Sequence, residues 1–155
     1  MSSLSDPVFD RPIFIISPPR SGSTLLFETL QRAPRLFSVG GESHAVIEGM
    51  HELSVQAQGF HSNQLTEADA TPQVIASLRQ RFLYALHDRS GAPPQTLPVR
   101  MLEKTPKNAL RIRFMTRVFP EARFIYLYRE PREVLNSMIE AWLSGRFRTY
   151  PRLPG

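Results

Sequence analysis

The sequence predicts an α/β fold: a central parallel sheet with helices on both faces, three layers in all. Three observations lead there. Apolar runs of strand length stand at Ile13–Ile16, Val99–Leu102 and Phe124–Tyr128. Between them the apolar residues recur at helical spacing, most clearly from Val74 to Leu86. The breaks carry Pro, Gly and hydroxyl residues, which end strands and start helices.

In chain order, residues 1–10 read as a polar, flexible lead-in. Ile13-Phe14-Ile15-Ile16 is a buried parallel strand, and the two prolines of Ser17-Pro18-Pro19-Arg20-Ser21-Gly22 stop its ladder. From Ser23 the period changes, with Leu25, Leu26, Thr29 and Leu30 at helical spacing. Leu36–Val39 is a short second strand, and Gly40-Gly41-Glu42-Ser43-His44 is a turn at its carboxyl end. Ala45–Ala57 is a weak helix, followed by a polar loop to Thr71. Thr71-Pro72 starts a helix with a hydroxyl cap and Pro at its first position, and Val74, Ile75, Leu78, Phe82, Leu83 and Leu86 form its apolar stripe. After the Val99–Leu102 strand and Glu103-Lys104, Thr105-Pro106 repeats the cap signal for a helix lined by Leu110, Met115, Val118 and Phe119. Phe124–Tyr128 reads as the clearest buried strand after the first. Glu130-Pro131 opens a helix with Val134, Leu135, Met138, Ile139, Trp142 and Leu143 on its apolar side. Residues 145–155 form an irregular tail. The 155 residues make one domain with three or four strands.

Composition narrows the function. The chain is 41% hydrophobic and 21% charged, enough to build a core and keep a soluble surface. No apolar run approaches the ~20 residues of a membrane span, and the start lacks a basic segment followed by an apolar one, so no membrane contact is expected and the default location is the cytoplasm. The absence of cysteine excludes disulfides and thiolate chemistry. The net charge of +5 favours anionic partners, yet the arginines are scattered and form no nucleic-acid block. A small, highly charged nucleotide fits that balance better. No cluster of Asp, Glu or His has metal-ligand spacing, so no metal is expected.

The strand–loop–helix unit at 13–30 carries the chemistry. Such a loop aims backbone N–H groups at one spot, at the positive end of a helix dipole. Arg20 adds a permanent cation with a planar fork of donors, and Ser21, Ser23 and Thr24 add hydroxyls around Gly22. The pattern is P-loop-like without being a Walker A loop. That motif needs Gly at the place of Ser17 and Lys at the place of Ser23, and here only Gly22 and Thr24 match.

Pro19-Arg20-Ser21-Gly22-Ser23-Thr24-Leu25-Leu26 resembles the 5′-phosphosulfate loop of sulfotransferases that use 3′-phosphoadenosine-5′-phosphosulfate (PAPS), in the Arg-bearing form of the tyrosylprotein sulfotransferases and their bacterial relatives. Phe124 to Met138, read FIYLYREPREVLNSM, is similar to that family's 3′-phosphate motif. The resemblance runs from about Ile13 to about Trp142. It implies a three-layer α/β/α, P-loop-like nucleotide-binding fold with about five strands, so the family's C-terminal part is expected to be missing here. It also implies PAPS as donor, 3′-phosphoadenosine-5′-phosphate (PAP) as product, and a small-molecule, sugar or peptide hydroxyl as acceptor. Arg20 to Thr24 would hold the 5′ end, and Arg129 with Ser137 the 3′-phosphate. Gly41-Glu42 matches two positions of a Gly-Glu-Glu stretch that supplies the base in the tyrosylprotein type, with Ser43 departing at the third. His44 is the alternative base. Lys104 would offset leaving-group charge, and Glu103 would orient Lys104 or cap a helix. A P-loop-type nucleotide kinase or other phosphotransferase, and a non-catalytic PAP(S)-binding fragment, remain the alternatives.

Overall fold

The computed structural model describes residues 6–145, and the expected irregular tail from 146 onward lies outside them. Four strands, β1 (Ile13–Ile16), β2 (Leu36–Phe37), β3 (Arg100–Lys104) and β4 (Arg123–Tyr126), form one sheet in the order β2-β3-β1-β4. Every pairing is parallel. The helices are α1 (Ser23–Leu30), α2 (His44–Ile47), α3 (Pro72–Ala85), α4 (Ile112–Val118) and α5 (Pro131–Leu143).

Alternation along β1 divides the two faces. Ile13 and Ile15 point to α1, where Ile15, Phe27 and Leu102 form a small buried cluster with Leu26, Leu30 and Leu36 against it. Phe14 and Ile16 point the other way, into the main core with Val74, Leu78 and Phe82 of α3 and Phe114, Met115 and Val118 of α4. Helices therefore cover both faces, as the patterning predicts. On α1 the anchor is Phe27, while Leu25 is 72% exposed.

The start of α3 follows the cap signal: Thr71 Oγ1 accepts from the Val74 N–H at 3.3 Å. Thr105 does not cap. Pro106–Leu110 is a 3₁₀ turn, and the Thr105 hydroxyl donates to Glu103 instead. Leu110 lies in that turn and is exposed, so it does not line α4. The weak helix expected over 45–57 shrinks to α2 and a 3₁₀ turn at His51–Leu53.

Two further parts of the chain depart from expectation, the last strand–helix unit and the lead-in. The last strand is β4 at the sheet edge, with Arg123 and Tyr126 exposed, rather than a buried strand over 124–128. An aromatic run fits an edge as well as a centre, and composition alone does not separate them. On α5 only Val134 is buried, and Leu135, Met138, Ile139, Trp142 and Leu143 are exposed.

The second change concerns the lead-in, whose residues 6–10 are docked. Phe9 is fully buried, bridges to Val99 and meets Phe119 edge-on at 5.0 Å. The Arg79 guanidinium donates to both Asp6 carboxylate oxygens, at 2.8 and 2.6 Å, and to the Val118 carbonyl at 3.0 Å. It also lies 4.9 Å from the Phe9 ring centre. A lone Phe in a polar stretch has no period, so the sequence pattern does not show this anchor.

Lysine cannot reproduce that planar fork or its stacking. Arg79→Lys is expected to lower unfolding free energy by about 1.5–3 kcal/mol, the range for hydrogen bonds to a charged group. Urea denaturation checks it, and a midpoint equal to wild type contradicts the anchoring role.

Candidate active site

The site lies at the carboxyl ends of β1 and β3. Here the connection after β1 runs to one side of the sheet, towards β2, and the one after β3 runs to the other, towards β4. Ligand crevices of open α/β sheets form at such reversals.

The loop after β1 is held in a narrow conformation. Gly22, at the N-terminal boundary of α1, has φ +88°. A Cβ there would meet no atom within 4 Å, so glycine is required by backbone conformation and not by space. Arg20 has φ +65°, at a cost of roughly 1 kcal/mol for a residue with a side chain. The start of α1 carries no side-chain cap, so its first amides point outward without an internal acceptor. The Ser17 and Ser21 hydroxyls are buried without a hydrogen-bond partner.

The second cationic segment comes from the other side. Arg129 lies just beyond β4, and its guanidinium donates to the Arg20 carbonyl at 3.0 Å and to Glu133 at 3.0 Å. Arg20 Nε donates to Ser137 Oγ of α5 at 3.0 Å. Arg20, Gly22, Ser23, Thr24, Arg129 and Ser137 line one cleft of about 240 Å³. The structure thus brings together residues 117 positions apart that the sequence reading pairs only by motif. Ser21 and Arg132 do not line this cleft. A larger groove of about 640 Å³ opens at the opposite ends of β1 and β3, beside Pro34, Pro93 and Pro98, without comparable convergence of donors.

Lys104, at the end of β3, is buried on the α1 side of the sheet. Its ammonium donates to Glu42 Oε1 at 2.9 Å and reaches Thr24 Oγ1 at 3.4 Å. Glu42 Oε2 lies 2.8 Å from His44 Nε2. The two candidate bases are therefore hydrogen-bonded to each other rather than alternatives at separate places. Burial pushes the Glu42 carboxyl up, but Lys104 and His44 outweigh it and hold it below the ordinary value. Glu42 is thus a carboxylate, the form that can take a proton. His51 and His61 are exposed and His87 is half-buried, all away from this group.

Sequence reading missed two supporting networks. Glu48 accepts from Lys107 at 3.0 Å and from the buried Arg111 at 3.0 Å, with His44 Nδ1 at 3.5 Å. Polar contacts thus run from Lys104 through Glu42, His44 and Glu48 to Arg111. The other network surrounds Glu103, which binds Ser43, Thr105 and Asn108 and is not hydrogen-bonded to Lys104. Ser43, Glu48, Thr105 and Arg111 stand at element boundaries, where a side chain carries no periodic signal. Among the described residues, no group of acidic or histidine side chains could hold a metal ion.

The fold and site define an α/β protein with a cationic, donor-rich cleft at the strand reversal and a Lys–Glu pair beside it. A profile of the sulfotransferase family matches residues 12–151, and the chain belongs to that family. It is 31% identical over 129 residues to protein-tyrosine sulfotransferase 1 of Danio rerio, covering 82% of this chain and 35% of the relative. The human protein-tyrosine sulfotransferase 1 is 31% identical over 131 residues, with 82% and 33% covered. A putative protein-tyrosine sulfotransferase of Caenorhabditis briggsae is 30% identical over 132 residues, with 85% and 44% covered. The crystal structure of sulfotransferase STF9 from Mycobacterium avium shares the fold at a TM-score of 0.50 and 17% identity, with 89% of this chain and 47% of that one aligned. The chain spans less than half the length of each of these relatives.

The Glu48 hub sets an expected pH dependence. Burial raises the Glu48 carboxyl, and Lys107 and Arg111 together bring it below the ordinary 4.5. A depressed folded value stabilises the fold above 4.5, and that contribution is lost as pH falls through the lower folded value. Glu103, pushed up by its burial, works in the opposite sense. Urea midpoints are expected to fall between pH 6 and the acid range, and Glu48→Gln to flatten that fall. An equal slope in the variant contradicts the hub's role.

Proposed function

We propose that this chain forms the donor-binding part of a PAPS-dependent sulfotransferase and carries the groups that move a sulfuryl group to a hydroxyl acceptor. The observation that carries the reading is the convergence of Arg20, Gly22–Thr24, Arg129 and Ser137 on one cleft, with Lys104 linking the Thr24 hydroxyl of α1 to Glu42. The donor set fits the nucleotide: two guanidiniums, hydroxyls and open helix amides suit phosphate and sulfate oxygens.

In the reaction the bond from sulfur to the donor's bridging oxygen breaks as a bond to the acceptor oxygen forms. The acceptor proton passes to the Glu42 carboxylate. The charge developing on the departing phosphate oxygen is met by Lys104 and Arg20. Before substrates arrive, the Glu42–Lys104 pair keeps the carboxylate ionised and the buried ammonium compensated. His44 holds the second Glu42 oxygen and so restricts the carboxylate's rotation. The names of the protein-tyrosine relatives favour a peptide phenol as acceptor.

Calorimetry with PAP, AMP and ATP–Mg²⁺ tests the donor. PAP is expected to bind more than tenfold tighter than AMP, about 1.5 kcal/mol or more, because removing one phosphate leaves cationic donors unmatched. Arg129→Ala should erase most of that preference. Equal affinities for PAP and AMP, or tighter binding of ATP–Mg²⁺, would move the assignment to a phosphotransferase.

The base is tested separately. Glu42→Gln keeps the shape but cannot take the proton. The transfer rate should fall roughly 10²–10⁴-fold with PAP affinity unchanged, and His44→Ala should cost much less. The reverse ranking would assign the proton to His44. Binding of PAP with no turnover on any acceptor would mark a nucleotide-binding fragment.

A further inference from the structure

Lys104 and Glu103 are consecutive in β3 and point to opposite faces of the sheet. Lys104 faces Thr24 and Glu42. Glu103 faces the other way and is 1% exposed. Its carboxylate meets only donors: Ser43 Oγ at 2.6 Å and Thr105 Oγ1 at 2.5 Å on Oε1, and Asn108 Nδ2 at 2.8 Å on Oε2. Thr105 Oγ1 in turn accepts from the Ser43 backbone N–H at 2.8 Å. Both the amide and the hydroxyl of Ser43 are thereby tied to the end of β3, across about sixty residues of sequence.

Ser43 follows Glu42 directly and stands at the N-terminal boundary of α2. Serine there normally caps its own helix. Here it makes no such bond, and its hydroxyl serves the distant carboxylate instead. Burying a carboxylate is costly unless donors surround it, and this one has three. The arrangement costs stability that a purely apolar contact would not, which calls for a local benefit.

We propose that Glu103 is a positioning residue of the site: it holds Ser43 to the carboxyl end of β3, fixes the Gly40–Ser43 turn, and so sets the Glu42 carboxylate against Lys104. The Glu42 side chain is 37% exposed and lies on a turn. Without an anchor its rotamers would spread, and the pairing with Lys104 at 2.9 Å would be lost. Displacement of a reacting group by about 1 Å costs up to about 10²-fold in rate. The catalytic consequence rests on the sulfuryl-transfer reading above, whereas the placement of Glu42 does not.

The test reads both. Lys104 from β3 and His44 from α2 face the Glu42 carboxyl and hold its titration below 4.5, so that titration, followed by carboxyl NMR, reports the pairing. Ser43→Ala removes the hydroxyl link and leaves the amide. Glu42 should then titrate higher, towards the ordinary value, with PAP affinity unchanged and transfer slowed by up to about 10²-fold. Glu103→Gln should restore near-wild-type behaviour. Its oxygen accepts both hydroxyls, and its amide can donate to Asn108 Oδ1, which has no partner at present, once the Asn108 amide turns. Glu103→Ala removes every acceptor, and Ser43→Ala still decides the matter if that variant does not fold. An unmoved Glu42 titration in folded Ser43→Ala overturns the proposal, whatever the assay shows. Failure of wild type to bind PAP overturns the sulfuryl-transfer reading and leaves the titration to judge the placement.

Discussion

The register of β1 between its two neighbours is the constraint on which the site depends. Ile15 lies opposite Lys104 of β3 and Ile125 of β4, so the three strands end at nearly one level. Parallel pairing then delivers three chain exits to one rim: the Arg20–Gly22 loop, Lys104, and the segment leading to Arg129. The ladder is secured by burial on both faces, because Phe14 and Ile16 anchor one side of β1 and Ile15 the other. A slip of one residue would turn each of these side chains to the wrong face. The cleft therefore inherits its geometry from apolar packing several residues away.

Much of this is legible in the sequence, for identifiable reasons. A run such as Ile13–Ile16 followed by two prolines and a glycine permits few structures, and the loop's donors follow from it. Arg20, Arg129 and Ser137 are found by motif and prove to share one cleft. What the sequence conceals is side-chain pairing across the sheet rim. Ser43 reads as a departure from an acidic stretch, yet its hydroxyl is what meets Glu103. His44 reads as a rival to Glu42, and the sequence does not show that the two share a hydrogen bond. Helical and strand periods report which face a residue takes, and they are silent on which loop meets which strand end.

Beside the cleft, polar and charged side chains form a connected line. Lys104, Glu42, His44, Glu48 and Arg111 follow one another from a strand end, through a turn and a short helix, to a residue 1% exposed. Each buried cation finds a carboxylate, and each of those carboxylates is held ionised by its neighbours. Removing one member leaves its neighbours partly uncompensated at low dielectric, so the members are coupled and their contributions do not add.

The opposed directions of Glu103 and Lys104 bear on how this chain can evolve. They stand at the end of one strand, one facing an interior cage and the other the rim. Substitutions elsewhere along β3 change packing by degrees. Insertion of a single residue before the pair would instead carry the Glu103 carboxylate to the cationic rim, and deletion of one would carry the Lys104 ammonium to the Ser43 hydroxyl. A change in the length of β3 is thus costlier than a conservative change in its composition, and the connections on either side of it are where added or lost residues disturb the site least.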